Sequence, residues 1–178
     1  MASKRDQIKL TPEEVEEFLA RERVMNVASA GPDGWPHLTA LWYVMRGTDP
    51  WAWTYAKSQK VKNLERDDRA TTLVESGNEY AELKGVMLKT RAHIERDTDK
   101  VIDFASELFA KYQGTDPAND DMREALRGQA AKRVAIRFEV VETVSWDHAR
   151  LGGVYYPRSG PATRLAVAPR YAPCRCKT

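Results

Sequence analysis

Residues 24–55 have the sequence VMNVASAGPDGWPHLTALWYVMRGTDPWAWTY. Two turn signals, GPDG at 31–34 and GTDP at 47–50, separate three runs that are rich in Val, Thr, Tyr and Trp. Such runs between Gly, Pro and Asp clusters are typical of strands joined by short turns. The three predicted strands are 24–29, 35–44 and 51–55. This stretch therefore predicts a three-stranded antiparallel meander.

Three further strands are predicted downstream of the meander. They are 70–75, 80–95 and a last strand in which Val134, Ile136, Phe138 and Val140 alternate with charged or small residues. Gly85 lies inside the second of them and predicts a bulge or bend there. Six strands joined by hairpins predict an antiparallel barrel, so the expected fold class is mainly β with flanking helices.

Helix signals lie on both sides of the meander. The segment TPEE at 11–14 is a capping box with proline at the first helical position. A stripe of apolar residues runs through 101–112, and Gly114 lies just beyond its end. The predicted helices are one that begins after Thr11, one at 58–66 with Ser58 as its N-cap, one at 101–112 and a polar one around 120–127.

Length and composition limit the class of protein. The chain has 178 residues, 42% hydrophobic and 30% charged, which suits one globular domain. Its net charge of +2 does not indicate nucleic-acid binding, and no apolar run is long enough for a membrane span. The polar N-terminus lacks the apolar stretch of a signal peptide, so we expect a cytoplasmic protein. We expect one domain at 1–156 and an extended basic arm at 157–178, which contains Cys174 and Cys176.

Several catalytic signatures are missing. The sequence contains no Walker loop, no dinucleotide-binding glycine motif, no zinc-protease motif and no nucleophile elbow. Its three histidines, His37, His93 and His148, are far apart. The two cysteines have no nearby ligands to complete a zinc site, so we expect no metal centre.

The start of the helix at 58–66 is cationic. Lys57, Ser58, Lys60 and Lys62 surround its first turn. A helix N-terminus offers free N–H groups and partial positive charge, which suits a phosphate. The alternative interpretation is a solvated helix face. The position of the helix favours the phosphate hypothesis, because it directly follows a strand at the rim of a small barrel, where a ligand can lie across the sheet.

The strand at 36–43 is the second candidate feature. Its period of two places Leu38, Ala40 and Trp42 on one face and His37, Thr39 and Leu41 on the other. Either set can face the core. Such a strand can hold a flat heteroaromatic ring with its backbone groups, although an ordinary core strand has the same pattern.

These features together resemble the pyridoxamine 5′-phosphate oxidase-like superfamily, and most closely its actinobacterial deazaflavin-dependent oxidoreductases. The similar segments are DGWPH at 33–37, WY at 42–43, KVKNL at 60–64 with RD at 66–67, EYAELKG at 79–85, SWDH at 145–148 and LGG at 151–153. The resemblance runs from about Pro12 to Tyr155. It implies a six-stranded FMN-binding split barrel, a homodimer and a cofactor at the subunit interface.

The resemblance also implies which residues bind the cofactor. Ser58 and Lys60 would hold its phosphate, and Lys57 and Asn63 would assist. The residues along the ring would be Leu38, Thr39, Ala40 and Leu41, with Trp53 and Thr54 from the neighbouring strand. One departure matters, because the oxidase proper has an Arg-Lys pair where this chain has Gln59-Lys60. The loss of a bidentate phosphate partner favours coenzyme F-420, a deazaflavin, over FMN.

The expected function is hydride transfer from a reduced deazaflavin to an unsaturated or quinone-like organic acceptor. The alternatives are an FMN-dependent oxidoreductase of the pyridoxamine phosphate oxidase type and a flavin- or haem-binding protein without turnover. His37 and Tyr43 are possible general acids, although a structural role suits each of them as well. The aromatic residues of the meander predict that tryptophans between Trp35 and Trp53 lie in the interface of a homodimer.

Overall fold

The computed structural model describes residues 3–152. The expected arm at 157–178, with its two cysteines, lies outside the described residues. Six antiparallel strands form one closed barrel in the order β1-β2-β3-β6-β5-β4, which confirms the predicted fold class. The strands are β1 (Val24–Ala30), β2 (Pro36–Arg46), β3 (Asp49–Tyr55), β4 (Arg69–Ser76), β5 (Lys84–Glu95) and β6 (Arg133–Asp147).

Five helices accompany the strands of residues 3–152. They are α1 (Lys4–Gln7), α2 (Pro12–Arg21), α3 (Gln59–Arg66), α4 (Thr98–Gln113) and α5 (Asp120–Ala130). The capping box of α2 forms as predicted, because Thr11 Oγ1 accepts from the Glu14 N–H at 3.3 Å and the Glu14 carboxylate accepts from the Thr11 N–H at 2.7 Å. Gly114 ends α4 with φ of 71°, a left-handed conformation that favours glycine.

Two strand boundaries differ from the prediction by more than two residues. β5 begins at Lys84, and Tyr80–Glu82 form a short 3₁₀ turn instead of its first residues. β6 extends to Asp147, well beyond the apolar alternation that ends at Val140. β6 is this long because it pairs with β3 near its start and with β5 along nearly its whole length.

Gly85 does not mark the bulge that was expected there. The register shift in the ladder between β5 and β6 lies at Lys89 and Thr90 instead. Gly85 is opposite Trp146, and a Cβ atom added at Gly85 would lie 2.3 Å from the indole ring. Glycine is needed here because the indole packs directly on the strand backbone.

The buried side chains form two clusters. The larger cluster fills the barrel and contains Phe18, Met25, Tyr43 and Phe138. The smaller one lies outside the barrel wall, where Phe104 and other residues of α4 cover the outer face of β3 and β6. The predicted amphipathic helix therefore packs on the outside of the barrel.

The barrel wall separates between β2 and β3. β2 pairs with β1 over Pro36–Trp42, but its pairing with β3 covers only Tyr43–Arg46. Beyond Trp51 and Ala52, the residues of β3 pair with β6 alone. We call the gap between residues 36–42 of β2 and residues 53–55 of β3 the split. Alternate backbone N–H and C=O groups of this part of β2 point away from β1 and into the split.

Candidate functional site

Ser58 lies where β3 leads into α3. It occupies the N-cap position with φ of −69° and ψ of 154°, as predicted. Its hydroxyl makes no capping hydrogen bond, however, and is buried without a partner among residues 3–152. The first-turn N–H groups of a helix also have no intrahelical acceptor. The start of α3 therefore presents several unused donors.

Lys60 lies in the first turn of α3 and is half-buried. Its Nζ donates a hydrogen bond to Thr54 Oγ1 at 3.0 Å. Burial lowers the pKa of the Lys60 amine below its ordinary value, because desolvation disfavours the charged form. An ammonium has three donors, and this one uses one of them on a protein partner, so an anion can bind the others.

The Asn63 side chain, which the resemblance places beside the phosphate, bonds to protein groups in this structure. It is fully buried, and its Nδ2 donates to Ser29 Oγ at 3.2 Å. Its Oδ1 accepts from Gln59 Nε2 at 2.9 Å. We therefore assign Asn63 to positioning α3 on β1. Gln59 takes part in the same contact.

The structure decides which face of β2 is internal. His37, Thr39 and Leu41 point into the barrel, and Leu38 and Ala40 are exposed on its outside. Leu38 is 64% exposed. The four residues expected along a ring therefore lie on opposite faces of one strand. What the four residues share is the backbone of one strand. The N–H and C=O groups of alternate residues in it point into the split.

Two internal polar atoms of β2 also lack partners. His37 Nδ1 and Thr39 Oγ1 are buried without a hydrogen bond among residues 3–152. His37 is opposite Ser29 in the β1–β2 ladder, and Ser29 accepts the hydrogen bond from Asn63. His37 thus lies across the ladder from the residue that binds the start of α3. Buried polar groups without partners are uncommon in folded proteins, so this group indicates a place for ligand or ordered water.

Trp53 and Thr54 lie on opposite faces of β3. Thr54 points inwards to Lys60. The Trp53 ring points outwards, where it contacts Phe109 edge-on with 6.0 Å between ring centroids. The guanidinium of Arg133 lies 4.2 Å from the Trp53 ring centroid. Part of the Trp53 ring is therefore packed against α4.

Sequence reasoning missed Arg133. It pairs with Tyr55 across β3 and β6, at the same end of the barrel as Ser58. No sequence signal identifies this residue, because its position depends on the register between two strands that are almost 80 residues apart.

Tyr43 does not lie at the split. Its hydroxyl is buried and donates to the Leu19 carbonyl at 2.6 Å. Burial raises the pKa of this hydroxyl above its ordinary value. These contacts remove Tyr43 from the candidate general acids and leave His37.

The other two histidines have partners elsewhere. His93 Nε2 lies 2.6 Å from Glu139 Oε2 on the outer surface, and His148 Nδ1 lies 3.1 Å from the Tyr80 carbonyl. Within residues 3–152, no three His, Cys, Asp or Glu side chains are arranged to hold a metal ion. No helix in the same range has both the length and the apolar character of a membrane span.

Comparison with known proteins supports the same family and fold. The family model described as pyridoxamine 5′-phosphate oxidase matches residues 11–147. The conserved hypothetical protein Rv2991 from Mycobacterium tuberculosis is 33% identical, with a TM-score of 0.79, over 93% of this chain and 100% of that one. No curated protein matches the sequence.

More distant structures share the fold. An F-420 reductase is 24% identical, with a TM-score of 0.58, over 75% of this chain and 98% of that one. The haem storage protein HutZ from Vibrio cholerae is 15% identical, with a TM-score of 0.59, over 80% of this chain and 99% of its own. At these identities the similarity concerns the fold alone, which accommodates different ligands.

Proposed function

We propose that this chain, which belongs to the pyridoxamine 5′-phosphate oxidase family, is an oxidoreductase that uses reduced coenzyme F-420. Its substrate would be an unsaturated or quinone-like organic acceptor. The observation that carries the proposal is the split with its unused polar groups. Ser58 Oγ, His37 Nδ1 and Thr39 Oγ1 are buried without partners on the elements that border it.

The residues at the split fit a tricyclic cofactor with a phosphate. Lys60 and the Ser58 hydroxyl, with the N–H groups at the start of α3, form a donor set suited to a phosphate. The backbone of β2 along Leu38 and Ala40 has the donors and acceptors that a pyrimidine edge needs. Because Asn63 and Gln59 bond to each other, they fix the helix start before any ligand binds.

The chemistry would come from the bound cofactor, since a reduced deazaflavin supplies a hydride to an acceptor held against its ring. The protein would orient the ring on β2 and keep water away from it. His37 is our candidate for the group that holds a proton near the acceptor. Its Nδ1 makes no hydrogen bond to residues 3–152 and is free to bond to a ligand.

The phosphate site favours a deazaflavin over FMN. Gln59 occupies the position of the oxidase's arginine, and its amide donates to Asn63. No guanidinium fork is therefore available in this turn to grip a phosphate in a bidentate manner. Lys57 and Lys62 are exposed and add positive charge, which suits the long anionic tail of coenzyme F-420.

A homodimer completes the proposal. Val24, Leu38 and Trp42 are 47%, 64% and 48% exposed on the outer face of β1 and β2, and Trp35 is 76% exposed. Val24 and Trp42 are opposite each other in the ladder, so they form one apolar surface. A second copy would cover this surface and close the split from outside. Trp51 is excluded from that role because α4 covers it.

The proposal is tested by fluorescence titration of the purified protein with coenzyme F-420 and with FMN. Each titration is run at low and at moderate salt. We expect tighter binding of coenzyme F-420, and an affinity that falls with salt because exposed lysines act through screened attraction. FMN binding tenfold tighter would assign the chain to the flavin-dependent branch.

Turnover separates an enzyme from a binding protein. The protein is mixed with reduced coenzyme F-420 and a quinone such as menadione, and oxidation of the cofactor is followed by its absorbance. We expect multiple turnovers. Tight binding without turnover across a panel of quinones and enones would instead favour a storage function.

A further inference from the structure

Arg133 is held by two aromatic rings on the outer face of the barrel beside the split. Its guanidinium carbon lies 4.2 Å from the Trp53 ring centroid and 4.4 Å from the Tyr55 ring centroid. Tyr55 is 57% exposed, so the assembly reaches the surface. Two cation–π contacts fix a side chain that would otherwise be flexible.

Arg133 lacks the acidic partner that most arginines within residues 3–152 have. Arg46 forms two hydrogen bonds to Glu107, and Arg137 bonds to Asp49 at 2.8 Å. Arg133 makes no ion pair within residues 3–152, and its buried Nε has no hydrogen-bond acceptor there. A buried donor without a partner destabilises a protein, and a bound acceptor would remove that cost.

The surroundings of Arg133 favour an anion. The Ala56 N–H donates to the Lys132 carbonyl at 3.0 Å, which brings Lys57 and Lys132 to the same end of the barrel. Neither residues 50–64 nor residues 125–138 contain an acidic residue. These two segments therefore contribute only positive charge, and no carboxylate from them competes for the guanidinium.

We propose that Arg133, with Trp53 and Tyr55, forms a subsite for a carboxylate of a bound ligand. An aromatic ring is a poor hydrogen-bond acceptor, so the N–H groups along the edge of the guanidinium stay available. A carboxylate matches that edge with two parallel hydrogen bonds. The carboxylate would belong either to the glutamate tail of the cofactor or to the organic acceptor. The assignment of the carboxylate to the cofactor tail or to the acceptor rests on the proposed function, whereas the subsite itself does not.

The test uses the NMR signal of the Arg133 Nε–H group in the ¹⁵N-labelled full-length chain without added cofactor. The signal is assigned by its loss in Arg133→Lys. γ-Glutamylglutamate represents the cofactor tail, benzoate represents an acidic acceptor, and inorganic phosphate is the third probe. We expect a saturable shift of this signal with one carboxylate probe, and the more effective one identifies the source.

Two variants separate a subsite from general ionic attraction. Arg133→Lys keeps the charge but loses the planar fork and the Arg133 signal, so binding to the variants is followed by the indole N–H signal of Trp53, whose ring contacts Arg133. We expect at least tenfold weaker binding of the effective probe to Arg133→Lys. Arg5→Gln is the control, because it removes one positive charge from α1, which packs near the other end of β6. Its binding should equal that of the wild type.

Three results would overturn the proposal. They are the absence of a saturable shift with both carboxylates, an equal shift with inorganic phosphate, and equal weakening by the two variants. The measurement does not require cofactor binding. A protein that binds neither coenzyme F-420 nor FMN but shows the Arg133 shift would therefore contradict the proposed function alone.

Discussion

The two ends of the barrel differ in how many of their buried polar groups have hydrogen-bond partners. At the end covered by α2 and the tip of α4, the Tyr112 hydroxyl accepts from the Tyr43 N–H at 3.0 Å and donates to the Arg23 carbonyl at 2.5 Å. Lys111 Nζ donates to the Glu22 carbonyl at 2.8 Å. We call this the α2 end. At the α3 end, His37, Thr39 and Ser58 have buried polar atoms without partners.

Because of this difference, we expect the α2 end to contribute mainly to folding stability and the α3 end mainly to ligand binding. Polar groups whose hydrogen bonds are complete rigidify a structure, and unpartnered buried groups destabilise it. The hydrogen bonds of Tyr43, Tyr112 and Lys111 at the α2 end are therefore made without a ligand, although Thr115 Oγ1 beside the tip of α4 has no partner. The α3 end is expected to become complete only when a ligand supplies the missing acceptors and donors. Variants at the two ends should then affect different measurements.

The largest effect on stability is expected at the α2 end. Tyr43→Ala removes a fully buried aromatic side chain and should lower the free energy of unfolding by about 3–5 kcal/mol. Tyr43→Phe keeps the ring and loses only the bond to the Leu19 carbonyl, so its cost should be about 1–2 kcal/mol. Urea denaturation measures both. Similar losses for the two variants would show that the hydroxyl, and not the ring, stabilises this end.

Lys60→Ala should have the opposite profile. We expect cofactor binding to weaken by about 1.5–3 kcal/mol, the usual contribution of a hydrogen bond to a charged group. The free energy of unfolding should stay nearly constant, because the variant removes a partly desolvated cation. Lys100→Ala, an exposed lysine on α4, is the charge-matched control. Unchanged affinity in a fluorescence titration of Lys60→Ala would place the phosphate elsewhere.

A pair of N-cap variants compares the helices at the two ends. Thr11→Ala removes a capping hydrogen bond from α2 and should lower the free energy of unfolding by about 1 kcal/mol. Ser58→Ala removes a hydroxyl that makes no capping bond, so it should change stability much less. The Ser58 variant should weaken cofactor binding instead. Equal destabilisation by the two variants would contradict a ligand-binding role for Ser58.

The smallest effect concerns pH. Burial and the nearby charge of Arg23 lower the pKa of Lys111 from 10.5 to about 8. Between these values the unfolded chain holds a proton that the folded protein has lost, so stability rises with pH above about 8. The raised pKa of Tyr43 acts in the opposite direction above pH 10. The window for the Lys111 effect is therefore pH 8 to 10.

Urea denaturation at intervals from pH 7 to 10 tests this. The wild type should gain less than about 1 kcal/mol over the window, because Lys111 is partly solvated. Lys111→Met removes the titrating group and should abolish the rise. The same slope in both proteins would assign the pH dependence to another group.

The sequence determined the order of the elements and much of the local structure. The capping box at Thr11, the glycine that ends α4 and the turns at 31–34 and 47–50 act over a few residues, so they are visible in the sequence. The family resemblance followed from short segments in the right order, and the family model confirms it over residues 11–147. The cationic start of α3 was also predictable, because its residues are adjacent in the chain.

Only the tertiary structure decided which of these residues meet. A period of two divides β2 into two faces but does not say which face is internal. In this structure the internal face is the one with His37 and Thr39. The packing of Trp146 on Gly85 and the contact of Arg133 with Tyr55 both depend on strand register. Register is set by the burial of whole strand faces and by barrel closure, which involve residues distant in the chain. For that reason the cationic start of α3 could be predicted from sequence, whereas the unpartnered groups around it could not.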